Sequence, residues 1–135
     1  MNTLKVSIAT PNGEVYSGED IKMVTMETHN GSMGVMANHE ATVTTLKIGV
    51  VKVIDVKDKP TYFAVSEGFA ELHGKEVSIM VQTAEQGSTI DKARAEKAKA
   101  RAEERLKNIT SDIDVRRAQL ALAKSIARLK VAGLN

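Results

Sequence analysis

Around residue 88 the chain changes its chemistry. Both prolines, all four aromatic residues and eight of the nine glycines lie before that point, and all six arginines lie after it. Residues 1–89 hold seven lysines against eleven acids, a net charge of −4. Residues 90–135 hold six lysines and six arginines against six acids, a net +6. Glycine, proline and aromatics suit short strands and their turns, whereas alanine, lysine, arginine, glutamate and leucine are strong helix formers. The 135 residues therefore read as two unlike structures in series, one over residues 1–87 and one over residues 88–135.

The first part has the pattern of short strands. LKVSIAT (4–10) alternates Leu4, Val6 and Ile8 with polar residues, and PNG (11–13) supplies a turn. IKMVTMET (21–28) runs from SGED to HNG, GVVKVIDV (49–56) and TYFAVSEGFAEL (61–72) flank DKP, and EVSIMVQT (76–83) follows HGK. Strands this close together, with no helical period between them, predict a β-sandwich or barrel rather than a parallel sheet.

The second part predicts two helices. Ser88 with Asp91 three residues on resembles a capping box, with the serine hydroxyl serving a free amide. ITSD then interrupts, Ser111 to Asp114 repeats the signature, and a second helix is expected from about Asp112 to Ala132, with Gly133 as its stop. The apolar faces are narrow: Ala98, Ala102, Leu106 and Ile109 on one helix, Val115, Ala118, Leu122, Ile126 and Leu129 on the other. Alanine buries little surface, so an antiparallel hairpin built this way packs weakly and is suited to movement. The expected fold is α+β: an N-terminal antiparallel β-sandwich followed by a C-terminal two-helix antiparallel hairpin.

Several function classes lack their residues. There is no cysteine for a disulfide, thiolate metal site or nucleophile. His29, His39 and His73 have no local metal-ligand spacing, and no acid pair suggests acid–base chemistry. No GxxxxGK[ST] loop is present, since Gly74 and Lys75 sit in a hairpin turn. The first residues lack the apolar run of a signal peptide and no segment approaches about 18 unbroken apolar residues, so a soluble or peripheral protein is expected. The basic tail has no aromatic side chain, which argues against nucleic acid as its partner.

The cations of the tail are the informative feature. Arg94, Arg101 and Arg105 recur at intervals of seven and four, as do Arg117, Lys124 and Arg128. Each set lies along one side of a helix, and an antiparallel hairpin could bring both to one anion. Asp91, three residues before Arg94, shares its face. A solvated helix surface with Glu96, Glu103 and Glu104 as partners gives the same pattern, as does a basic surface for an acidic protein partner.

Taken together, LKVSIATPNGEVYSGE, GSMGVMANH, AVSEGFAEL and the tail motif IDKARA make the chain similar to the epsilon subunit of bacterial F-type ATP synthases. The resemblance extends over nearly the whole sequence. It implies a noncatalytic rotor subunit whose sandwich joins the gamma subunit and the c-ring at the cytoplasmic face of the cell membrane. Its hairpin would regulate, permitting rotation when folded and inhibiting ATP hydrolysis when extended toward the alpha and beta subunits. IDKARA fits the family's I/L-D-x-x-R-A motif, which implies ATP as a regulatory ligand that is not hydrolysed, and no structural metal; no carboxylate cage for a metal is apparent in the residues, so binding with little or no need for magnesium is expected. The implied ATP contacts are Glu85, Ile90, Asp91, Arg94, Ala95, Arg101, Lys124 and Arg128. Lys124 replaces the arginine usual in ATP-binding relatives, and an ammonium cannot reproduce a planar two-pronged contact. The implied c-ring contacts are Ser32, Met33, Asn38 and His39, in a loop where Ala37 and Asn38 stand in place of the usual proline and glycine.

Overall fold

The computed structural model describes residues 2–111 and 113–135. Nine strands come first: β1 (Leu4–Thr10), β2 (Gly13–Thr28), β3 (Gly31–Val35), β4 (His39–Leu46), β5 (Gly49–Asp55), β6 (Pro60–Val65), β7 (Gly68–Gly74), β8 (Glu76–Val81) and β9 (Ala84–Gln86). A 3-10 turn (Gly87–Thr89) leads to helices α1 (Lys92–Lys107) and α2 (Val115–Val131).

The first two turns repeat one device, T-x-N-G. In TPNG the Thr10 hydroxyl donates to the Gly13 carbonyl at 3.3 Å and accepts from the Asn12 amide at 3.2 Å. In THNG the Thr28 hydroxyl does the same with Gly31 at 2.7 Å and Asn30 at 3.1 Å. Both glycines take a positive φ, 120° and 112°, which a side chain would oppose.

The strands run in the order β1-β8-β7-β4-β2-β5-β6-β9, with β3 also on β2 and β1 also on β2. Long β2 folds the sheet into its two layers. Its first half pairs with β1, its second half with β3 and β5, and Ile21 is opposite both Leu4 and Asp55 where it passes between them. Asp20 there adopts φ 55°, a local bend of the kind that lets one strand serve two sheets. Every pairing is antiparallel except β1 with β8, which is parallel.

The strand expectations need correction: the run 21–28 is only the second half of β2, which begins at Gly13 and includes SGED, and Ala84–Gln86 adds β9. The run 61–72 is two strands, because the Ser66 hydroxyl accepts from the Thr83 amide at 2.7 Å and β6 and β7 then join different neighbours. Residues 31–46, which carry no strong apolar alternation, form β3 and β4. The half-buried positions of β4 include Thr42 and Thr44, β-favouring side chains that an apolar count overlooks.

Phe63, Leu4, Ile8, Met26, Leu46, Leu72 and Ile79 are the largest buried side chains between the layers. Tyr16 meets Phe63 edge to face, with ring centroids 5.1 Å apart. Burial of the Tyr16 phenol, with the Asp55 carboxylate as the second cause, raises its pKa above the ordinary 10.0. Folding therefore favours the neutral phenol. The stability this contributes is complete below the unfolded value near pH 10 and is lost as pH rises through the folded value. Between about pH 9 and about pH 11 the urea midpoint should fall more steeply for the wild type than for Tyr16→Phe. Parallel curves would sink this account.

Helix α2 lies on β5 and β6, and α1 lies on α2. A second apolar cluster joins the parts: Ala64 of β6, Ile90, Ala95 of α1, and Ala127 and Val131 of α2. The capping expectation changes in detail. Asp91 itself is the N-cap of α1, its carboxylate accepting from the Arg94 amide at 3.1 Å, while Ser88 belongs to the preceding turn. Asp114 caps α2 in the same way through the Arg117 amide, so that helix starts at Val115. Asp112, where its start was expected, lies outside the described residues. A carboxylate at the N-cap serves a free amide and also meets the positive end of the helix dipole. Helix α2 buries Ala118, Ser125, Ala127 and Val131, because it is covered by the sheet and by α1, and the single expected stripe describes only part of it. Ile109, expected on the apolar face of the first helix, lies beyond α1 and is exposed.

Candidate functional site

Between the β6–β9 edge and the hairpin lies a cleft of about 440 Å³. Its walls are mostly small and apolar, with Ala64 and Val65 from β6, Ala98 from α1 and Ala121 and Ala127 from α2. Polar groups enter from both sides: Ser66, Thr83 and Glu85 from the sandwich, Lys124, Ser125 and Arg128 from α2. A mainly apolar recess with a few convergent polar groups is the usual form of a small-molecule site.

Glu85 and Arg128 tie the two parts together across the cleft. The Arg128 Nη2 donates to Glu85 Oε2 at 3.3 Å, and Nε lies 3.0 Å from Oε1. That Nε is buried, yet the nearby oxygen is not aligned to accept from it. Lys124 stands one helical turn before Arg128 and is exposed, so the two cations share one side of α2. Ser125 is turned inward, donating to the Ala121 carbonyl at 2.9 Å.

Of the eight ATP contacts that the resemblance implies, three line this cleft: Glu85, Lys124 and Arg128. Ile90 and Ala95 are buried in the cluster beneath the hairpin, with Ala64, Ala127 and Val131. Asp91 and Arg94 are exposed at the start of α1, joined by carboxylate and backbone amide. Arg101 is exposed on α1 outside the cleft lining. The two rows of cations do not converge as rows: Arg94, Arg101, Arg105 and Arg117 face solvent, and Lys124 and Arg128 alone among the six reach the cleft. Sequence reading passed over Ser66, Thr83 and Ser125, and gave Ala98 only as part of an apolar helix face. Only Ser125 gave a signal, as a polar residue at a buried helix position.

The second expected site is the turn between β3 and β4. The Ser32 hydroxyl donates to the Glu27 carboxylate at 3.0 Å, and His39 opens β4 with Nδ1 2.9 Å from the Glu40 carbonyl. Asn38 adopts φ 68°, a conformation that asparagine tolerates well, and its amide donates to the Gly74 carbonyl at 3.1 Å. The turn thus keeps its shape without glycine. Met33 packs against the sandwich core, while Met36 beside it stands exposed. Among the described residues no group of histidine and acidic side chains is arranged to hold a metal ion, and no helix is long and apolar enough to cross a membrane.

A sandwich with a helical hairpin folded back onto its edge, and a mainly apolar cleft with a few polar groups in the seam, defines a two-part protein whose parts meet through a small contact. The chain belongs to the ATP synthase delta/epsilon chain family: residues 3–87 match its β-sandwich domain and residues 88–133 its long α-helix domain. It is 48% identical over 135 residues, the full length of both chains, to the ATP synthase epsilon chains of Staphylococcus aureus strains JH9 and Newman. This bears out the resemblance seen in the sequence. The fold is shared with a chain in the Euglena gracilis mitochondrial ATP synthase structure of OSCP, F1 and c-ring, with TM-score 0.83 and 22% identity, covering 94% of this chain and 79% of that one. It is also shared, less closely, with a chain in the central stalk and c-ring structure of Tetrahymena thermophila mitochondrial ATP synthase, with TM-score 0.57 and 18% identity over 97% and 96% of the two chains.

Proposed function

We propose that the chain is a noncatalytic central-stalk subunit of an F-type, proton-translocating ATP synthase, in which residues 1–87 couple and residues 88–135 regulate. The sandwich joins the gamma subunit and the c-ring at the cytoplasmic face of the membrane. The hairpin inhibits ATP hydrolysis when it leaves the sandwich and reaches the alpha and beta subunits. ATP in the cleft is a regulatory ligand, held and not hydrolysed.

The observation that carries this reading is the seam. The hairpin is held on the sandwich by an alanine-rich cluster and one partly exposed ion pair, with a ligand-sized cleft inside the contact. A ligand that bridges the two parts binds the folded arrangement alone and raises its population in proportion to that preference. An apolar patch on the sheet surface supports protein docking: Phe69 lies between Thr45 and Met80, with Val43 two residues along β4, and all three apolar side chains are exposed.

Deleting residues 90–135 should leave a sandwich that assembles with the synthase, and the complex should hydrolyse ATP faster than one carrying the whole chain. Equal rates would remove the inhibitory role. The exposed arginines outside the cleft favour a second reading, in which the hairpin meets an acidic protein surface without nucleotide. Copurification with gamma and the catalytic subunits, with no effect of ATP on hairpin docking, would select it.

A further inference from the structure

The hairpin is also pinned at a second place, away from the cleft, by main-chain contacts. Gly87, in the turn that leads into α1, is buried against the end of α2. A methyl group on its Cα would run into the Val131 carbonyl oxygen and come within 2.7 Å of that of Leu134. The Gly87 carbonyl accepts from the Gly133 amide at 3.0 Å, and Gly133 takes φ 82° to turn the chain back after the helix. Two residues on, the Asn135 carbonyl accepts from the Tyr62 amide at 2.7 Å. That bond continues the edge of β6, which β9 covers from Phe63 to Val65.

We infer that residues 131–135 form a latch, with Gly87 as its catch, that sets how often the hairpin leaves the sandwich. The contact joins the beginning of the hairpin to its end, so opening it frees both helices together. Its hydrogen bonds are between main-chain groups, and the Leu134 side chain is 42% exposed. What the latch requires is therefore a missing side chain at 87, a left-handed turn at 133 and a free edge at Tyr62. Glu85 and Arg128 lie on the same two segments, so the ion pair at the cleft and the latch resist the same movement. The regulatory meaning rests on the proposed mobility of the hairpin, whereas the latch itself is a property of the isolated chain.

The test uses the full chain without nucleotide. The sequence has no cysteine, so Lys57→Cys and Lys107→Cys accept a fluorophore pair, one on the β5–β6 turn and one at the end of α1. Gly87→Ala should raise the ratio of undocked to docked chains by roughly tenfold, from overpacking against backbone. Removing residues 133–135, which deletes the hydrogen bonds to Gly87 and Tyr62 together with the Leu134–Val131 bond and no core side chain, should raise it by roughly tenfold as well. Leu134→Ser should leave it unchanged, and amide exchange at Tyr62 should quicken in the truncated chain only. Wild-type energy transfer in both the glycine variant and the truncated chain would overturn the latch. So would a shift by Leu134→Ser equal to that of truncation, since side-chain burial would then be the cause. Failure of the inhibitory reading shows elsewhere, as unchanged hydrolysis after deletion of residues 90–135.

Discussion

Arg128→Ala is expected to weaken ATP binding to the isolated chain by about tenfold to a hundredfold, the range of about 1.5–3 kcal/mol for a hydrogen-bonded charged group. Arg128 is the cation best placed for an anionic ligand in the cleft, since it lines the cleft and its side chain is only 23% exposed. Glu85 already balances its charge, so the substitution also leaves a carboxylate facing the cleft without its partner and repelling phosphate. Calorimetric titration with ATP measures the effect, and affinity equal to wild type would show that the nucleotide is held elsewhere. Asp91 requires a different control. Its carboxylate caps α1, and replacing a cap by alanine costs about 1 kcal/mol of helix stability by itself. Asp91→Ala therefore weakens the hairpin whether or not ATP touches it. Asp91→Ser keeps the cap and removes the charge, so a loss of binding in the serine variant comparable to that in the alanine variant identifies Asp91 as a ligand contact.

How far the sequence revealed this molecule differs between its layers. Alternation located β1, β5 and β8 closely, because their inward positions are Leu, Val and Ile and little else competes for the signal. It missed β4, whose half-buried positions include threonine, and it fused β6 with β7, because the break depends on a hydroxyl from Ser66 meeting an amide at Thr83. The helices were legible from composition, but the helical period alone does not say which face meets which neighbour. Hence α2 was read with one apolar stripe although two structures cover it. The candidate site was the least legible part. Ile90, Asp91, Arg94 and Ala95 fall within one conspicuous six-residue motif, yet two are buried beneath the hairpin and two stand at an exposed helix start. Glu85 and Arg128 are 43 residues apart and meet only because α2 crosses the edge of the sheet. The resemblance named that pair, and residue spacing by itself had no means of doing so.

Strand β6 divides the two apolar cores, which makes neighbouring substitutions separable in effect. Phe63 and Val65 face the interior of the sandwich, and Ala64 between them faces Ala127 and Val131 of the hairpin. Phe63→Ala should lower the unfolding free energy by about 3–5 kcal/mol, from lost burial and the cavity left beside Tyr16. Fully buried and in edge-to-face contact with Tyr16, Phe63 has little around it that can collapse into the space. Ala64→Leu should act in the opposite sense. Ala64 is 5% exposed beneath α2, and the added carbons have no place to go while the helix remains docked. Its overpacking, of about 1–3 kcal/mol, falls on the docking equilibrium and is relieved as soon as the hairpin lifts. Urea unfolding of the sandwich should thus be nearly unchanged in Ala64→Leu, while energy transfer between residues 57 and 107 is lost. Phe63→Ala should give the converse at low urea, an early unfolding transition with the hairpin still docked below it. If Ala64→Leu destabilises the sandwich as much as Phe63→Ala does, the two clusters are one cooperative core, and a hairpin that moves independently of the sandwich has no physical basis.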